Sequence, residues 1–224
     1  MTLWKALAAV AMLSLAACGN DTERDNARKA VFSGLLGMVN KSEPNVPSAQ
    51  QLAAQASAAL KNSDLPLTVT VIENTKVGAV LTRIETNGDY GTWASGDRRF
   101  VTLKHGIVTG SRGLGNDLMS ADVEAVSALI RARKPGTATR VHRYLNGQNL
   151  TVELRATCSV TVGKKSRVTG ATINSMTTRV IETCIAGETR FENSYQVDSR
   201  GYALLSRQWL GDVNGYFQFQ TLRL

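Results

Sequence analysis

Two histidines and three cysteines are all that this 224-residue chain holds of the softer metal ligands. They fall without a characteristic spacing, and a structural zinc wants four such ligands. No nucleophile elbow is present, so triad hydrolysis lacks its usual local signature. No complete phosphate loop or dinucleotide fingerprint occurs either. The one long apolar run, Ala6 to Leu13, is well short of the ~20 residues that a membrane-spanning helix needs. There is no short internal repeat. Prolines number four, and each sits where a helix breaks or ends: Pro44, Pro47, Pro66 and Pro135. Acidic residues are also scarce, 18 against 26 lysines and arginines, for a net charge of +8.

What is present begins at the N-terminus. Lys5 precedes the apolar run, and Leu15-Ala16-Ala17-Cys18 closes it. A basic residue, a short apolar core and small residues before a cut make a secretory signal peptide. A cysteine directly after the small pair makes it a lipobox. Residues 1–17 are therefore expected to be removed, with acyl chains such as palmitate attached at Cys18. Several acyl chains anchor stably, because each buried methylene contributes ~0.8 kcal/mol. Gly19 and Asn20 follow the cysteine, rather than an aspartate that would retain it in the inner membrane. The expected location is the inner leaflet of an outer membrane, with residues 18–27 as a lipidated tether and the body in the periplasm. Nucleic acid is excluded as a partner by that compartment.

Losing 17 of 224 residues leaves 207 and removes only Lys5 among the charged groups, so the net charge becomes +7. Such a surplus suits an acidic partner, a phosphorylated headgroup or an acidic polysaccharide, and equally suits simple solubility. With Cys18 acylated, Cys158 and Cys184 remain in an oxidising compartment and are expected to pair. The loop-entropy relation gives ~3.5 kcal/mol for a ring of this size. Zinc is the alternative, with too few ligands.

Helices are expected near 28–40, 48–61 and 120–133. The first has Val31, Leu35 and Met38 at helical spacing. The second opens on a capping box, Ser48 with Gln51. Elsewhere the texture is β-branched and alternating. Strands are expected at Leu67–Ile72, Gly78–Thr86, Tyr90–Ala94, Arg99–Lys104 and Ile107–Ser111. Further strands follow at Thr139–Leu145, Asn149–Val162, Arg167–Ile173, Thr177–Ile185, Thr189–Val197, Tyr202–Leu210 and Tyr216–Leu224. Asn87-Gly88, Asn146-Gly147 and Gly163-Lys164 read as turns between them. Short strands with Gly/Asn turns argue for a mainly β fold, an antiparallel barrel-like or sandwich body with two or three accessory helices. Residues 28–224 then form one β-rich domain.

Candidate chemistry is thin. His105 sits at a hairpin tip and His142 in a strand, without a neighbouring nucleophile. Asp117, Asp122 and Glu124 are near one another in sequence only, and Asp122 suits a helix N-terminus. Gly113-Leu114-Gly115, beside Arg112, is either an anion cradle or a tight turn. Trp93, Tyr144, Trp209 and Tyr216 could stack on sugar rings or fill a β core. Arg131, Arg133, Lys134, Arg140, His142 and Arg143 form one basic cluster, and Lys164, Lys165 and Arg167 a second at a turn tip. Either could meet an acidic polymer or be a solvated face. No catalytic residue, cofactor or metal is assigned.

Several segments together resemble the YjbF/GfcB-like family of capsule-polysaccharide lipoproteins. They are the stretch Gly106–Val123 with Trp93 and the Val101–Leu103 strand ahead of it, the strand Arg140–Tyr144, Cys158 and Glu182-Thr183-Cys184. Phe191–Tyr195, Asp198 and Ser206–Gly211 complete the similarity, which runs from about Ala27 to the C-terminus. Gln196 departs from it, where an aromatic or larger residue is expected. The resemblance implies a β-barrel-like fold with accessory helices. It also implies a role in exopolysaccharide or capsule secretion beside an outer-membrane barrel and other periplasmic export proteins, with no catalytic residues. Two rivals remain open on the residues alone: a β-barrel carrier of a lipid or lipid-linked sugar, and a polysaccharide-modifying enzyme.

Overall fold

Alternation with period two runs through most of the chain after Pro66, and it dictates the architecture. A strand apolar on one face must bury that face, and a long antiparallel sheet buries it by curling on itself. In the computed structural model, which describes residues 49–224, twelve strands form one antiparallel sheet that closes nearly into a barrel. They are β1 (Leu67–Ile72), β2 (Gly78–Asn87), β3 (Tyr90–Ala94), β4 (Phe100–Lys104), β5 (Ile107–Arg112) and β6 (Leu118–Asp122). Then come β7 (Gly136–Leu145), β8 (Thr151–Gly170), β9 (Ile173–Ala186), β10 (Thr189–Val197), β11 (Ala203–Trp209) and β12 (Tyr216–Arg223). The order is β5-β4-β3-β2-β1-β12-β11-β10-β9-β8-β7-β6. It is a meander in which β1 and β12 pair with each other and the seam falls between β5 and β6.

Two helices flank the sheet, α1 (Ala49–Asn62) and α2 (Glu124–Ala132). On α1, Leu52 and Ala56 are buried one turn apart, and Leu52 lies so close to Gly78 that a Cβ there would come within 2.5 Å of its Cδ2. Arg223 donates to the carbonyls of Leu60 and Ser63, satisfying acceptors that a helix C-terminus leaves open. On α2, Val126 and Ile130 are fully buried and join a core with Val160, Val180, Phe191 and Tyr195. Its C-cap, Arg133, adopts a left-handed conformation (φ 51°). Lys104, buried on β4, reaches the Glu124 carboxylate, so α2 is tied across the seam side of the barrel.

The expected bridge is present. Cys158 on β8 and Cys184 on β9 are register partners and disulfide-bonded, with Cα atoms 4.0 Å apart. The zinc alternative falls, because the sulfurs are bonded to each other.

Other expectations need correction. The helix expected at 120–133 is shorter, and β6 occupies Leu118–Asp122 ahead of it. Gly163-Lys164 is no turn: it is a bulge inside a single 20-residue β8. A Gly-Lys-Lys run reads as a breaker, yet pairing with β9 holds on both sides of it, Val162 with Val180 and Lys165 with Thr178. A bulge absorbs an extra residue without ending the ladder. The hairpin turns instead at Ala171 (φ 50°) and Thr172. The helix expected at 28–40, Ser48, Cys18 and the leader lie outside the described residues.

Candidate functional site

Four of the candidate surface residues, Trp93, Arg140, His142 and Trp209, lie in the interior. Along β7 the strand period sends Arg140 and His142 to one face and Arg143 to the other, and the first face is the core. Arg140 makes a bidentate pair with Glu182 of β9, Nε to Oε1 at 2.7 Å and Nη2 to Oε2 at 2.9 Å. Asn193 and Tyr195 of β10 also donate to Glu182 Oε2, at 2.9 and 2.8 Å. The Nη1 group of Arg140 lies 3.3 Å from His142 Nε2, and His142 Nδ1 lies 3.0 Å from the Tyr144 hydroxyl. Arginine can only donate, so His142 Nε2 accepts and its Nδ1–H points to Tyr144.

This network is electrostatically closed. Burial works against the Arg140 charge, but the Glu182 carboxylate more than offsets it and raises the Arg140 pKa. Burial draws the His142 imidazole well below its ordinary value, and the Arg140 charge draws it further. Burial also pushes the Tyr195 and Tyr144 hydroxyls well up. These shifts favour a charged Arg140 and neutral His142, Tyr144 and Tyr195, which suits a structural role better than proton transfer. The aromatics continue the packing. Trp93 is 1 % exposed and Trp209 8 %, and Trp209 stacks on Phe191 with centroids 4.4 Å apart. Trp93, Trp209 and Arg140 are thus corrected from polymer-binding candidates to core residues. Sequence reading missed Glu182, Asn193 and Tyr195 as a cluster. The parity of Glu182 with Val180 and Cys184 along β9 was the available signal.

The Gly113-Leu114-Gly115 turn is occupied by the protein's own carboxylate. Asp117 accepts from the Gly113 and Leu114 amides at 2.8 and 3.1 Å, and from the Ser111 hydroxyl at 2.9 Å. Ser111 Oγ in turn accepts the Leu118 amide at 3.0 Å. Arg112 crosses the same gap, donating to the Leu118 and Met119 carbonyls at 3.3 and 3.2 Å. Side chains therefore stitch the seam that the ladder leaves open. Among the described residues no carboxylate lies within 4.0 Å of Arg112, so its charge faces outward uncompensated.

The other basic candidates disperse. Arg143 pairs with Glu153 at 2.7 Å, Arg133 donates to the Asp198 carbonyl, and Arg131 is half-buried. His105, in a left-handed conformation at the β4–β5 turn, lies 3.3 Å from Asp89.

Beside the seam an open groove of about 460 Å³ runs over the outer face of β3, β4 and β5 to β6. The core takes Trp93, Val101 and Leu103 from these strands, so alternation turns Thr92, Phe100 and Thr102 outward. Register sets Thr92 and Gly110 on either side of Thr102, and Arg112 beside Phe100. Tyr90, 40 % exposed, stands at one end with Lys104 Nζ 5.2 Å from its ring centroid. Threonine hydroxyls, two aromatic rings and one uncompensated guanidinium form a lining suited to a hydroxyl-rich, acidic ligand. The strand alternation and the β4–β5 hairpin contained this lining as far as Arg112, but only the seam brings Met119 of β6 to it.

Three comparisons bear on this chain. A family described as group 4 capsule polysaccharide lipoprotein GfcB, YjbF matches residues 24–222. No curated protein sequence matches significantly. A solved structure titled hypothetical lipoprotein YmcC, from Escherichia coli K12, superposes with a TM-score of 0.66 at 14 % identity. The match covers 82 % of this chain and 98 % of that one, and at that identity it shows a shared fold.

Proposed function

The chain belongs to the group 4 capsule polysaccharide lipoprotein family, GfcB and YjbF, and from that membership we propose an outer-membrane lipoprotein whose periplasmic body is a non-enzymatic accessory factor in exopolysaccharide or capsule secretion. The observation that carries the reading is the extent of the family match, which starts a few residues past Cys18 and ends two residues short of the C-terminus. Cys18 holds the body at the membrane. The barrel presents a rigid outer surface, with the seam groove as one place where polymer or a partner rests. Its partners are an outer-membrane export barrel and other periplasmic export proteins.

The acid–base groups of the barrel favour a binding role over catalysis. His142 is 1 % exposed, Glu182 is fully enclosed by donors, and Asp117 is engaged by the seam. A lipid carrier requires an apolar lumen, whereas the interior holds the Arg140–Glu182 pair, Asn193, Gln208 and Ser206.

An in-frame deletion tests the reading, with polymer measured separately in the medium, on the surface and in the periplasm. Loss outside the cell, with periplasmic accumulation or overall loss, is expected. Unchanged polymer in all three fractions refutes the role. Cys18→Ala is expected to move the protein from the membrane to the soluble periplasmic fraction and to impair export. Full export by the soluble variant removes the anchor from the mechanism.

A further inference from the structure

β8 outruns its neighbours. Its pairing with β7 ends at Val160, opposite Gly136, and the pairing of β9 with β10 ends at Thr178, opposite Val197. Beyond Val160, Thr161–Gly170 pairs only with Ile173–Ile181 of β9, and Ile173–Thr177 has no ladder partner but β8, so this hairpin end is a two-stranded ribbon running past the ends of β7 and β10. It is held rather than loose. Ser166 and Thr177 both donate to Gln196 Oε1, at 3.1 and 3.0 Å, and the Thr172 amide and hydroxyl donate to the Leu222 carbonyl at 3.1 and 2.9 Å. Gln196, the departure from the family pattern, is thus a fastening point.

The charge on this ribbon is one-sided. Between Glu153 and Glu182 the chain has no acidic residue, and it carries Arg155, Lys164, Lys165, Arg167 and Arg179. Arg155 is paired with Glu153. Among the described residues the other four have no carboxylate within ion-pair reach, and Lys164, Lys165 and Arg167 are exposed. Lys165 and Arg167 stand on one side of the strand, about 7 Å apart at ~3.3 Å rise per residue. Where the ribbon leaves the wall, the bulge at Gly163 lies against Arg179: a Cβ there would sit 3.4 Å from the Arg179 Cβ. Arg179 also lines a shallow groove of about 210 Å³ on the outer face, with Ser194, Gln196, Leu205, Arg207 and Gln218.

We propose that the basic β8–β9 ribbon and the groove at its base form a docking site for an acidic polysaccharide, the cations meeting its carboxylates and the amide and hydroxyl groups of the groove its sugar hydroxyls. The site rests on the secretion role proposed above. Four uncompensated cations along one acid-free ribbon attract a polyanion at long range. The groove distinguishes a polymer chain, which enters it, from the flat headgroup plane of an anionic membrane, which meets only the exposed lysines.

Binding of the full-length acylated protein, in detergent micelles, to polygalacturonate and to neutral dextran tests this. Wild type is expected to bind polygalacturonate, to weaken with added salt, and to leave dextran unbound. Lys164→Glu, Lys165→Glu and Arg167→Glu combined are expected to weaken binding about tenfold or more. A control with the same change in net charge elsewhere, Lys61→Glu, Lys134→Glu and Arg190→Glu, is expected to stay near wild type. Equal losses in both variants reduce the effect to net charge and overturn the site, as does absence of binding by wild type. Retention of phosphatidylglycerol vesicles without polygalacturonate binding assigns the ribbon to a lipid surface and also overturns it. The two readings fail separately. A deletion strain with unchanged export, with wild-type protein binding polygalacturonate through the ribbon, keeps the site and removes the secretion role. A deletion strain that loses export, with wild-type protein binding no polymer, keeps the role and removes the site.

Discussion

Burying Arg140 and Glu182 together exchanges hydration of two charges for one bidentate pair and the added donors of Asn193 and Tyr195. Such pairs contribute little net stability when intact, but removing one partner leaves an uncompensated charge and costs roughly 3–5 kcal/mol. Glu182→Ala is expected to cost that much in urea unfolding, and Arg140→Met with Glu182→Leu to recover most of the loss. His142 gives a pH test. Its native pKa is depressed, so the unfolded chain takes the proton first, near pH 6.5. Its contribution is therefore present above pH 6.5 and lost as pH falls through the native value. Urea midpoints at pH 7.5 and 5 are expected to differ more in wild type than in His142→Gln. Equal differences would show that other groups carry the pH dependence.

The seam between β5 and β6 is bridged by side chains, with Ser111, Arg112 and Asp117 spanning the gap. Gly113 and Gly115 take positive φ, 84° and 93°, and place successive amides toward the Asp117 carboxylate, a charge-assisted arrangement. Asp117→Ala is expected to cost roughly 1–3 kcal/mol and to lower hydrogen-exchange protection of β5 and β6 selectively, while β8 and β9 keep theirs. Uniform loss of protection would mean that the seam unfolds only with the whole barrel. The ribbon is the opposite case, an element beyond the ends of β7 and β10 that is fastened to Gln196 and Leu222 by side-chain and turn hydrogen bonds, where lysines also guard an exposed strand edge.

As a whole molecule the described barrel is filled by core side chains. Core side chains from both halves of the meander, Trp93 and Phe217 in one cluster and Phe191, Tyr195 and Trp209 in the other, occupy the space that a carrier would keep open. A fluorescent fatty acid is expected to show no saturable one-to-one uptake by the folded protein. Saturable uptake would restore the carrier reading. Among the described residues the two grooves lie on the outer faces of β3–β6 and β9–β12.

The lipobox, the cysteine count and the period-two alternation were local, so the sequence alone determined the expected anchor, the Cys158–Cys184 pairing and a mainly β body with its turn residues. Local patterns fail where the decisive contact is distant. Gly163-Lys164 looked like a turn until β9 paired across it. Arg140 and Trp209 looked available to a polymer until β9 and β10 enclosed them. The β4–β5 hairpin sets Arg112 beside Phe100 locally, but the seam groove exists because β6 brings Met119 across the gap. Which face of a strand becomes the inside is set by closure of the whole sheet, and that is a property of all twelve strands at once.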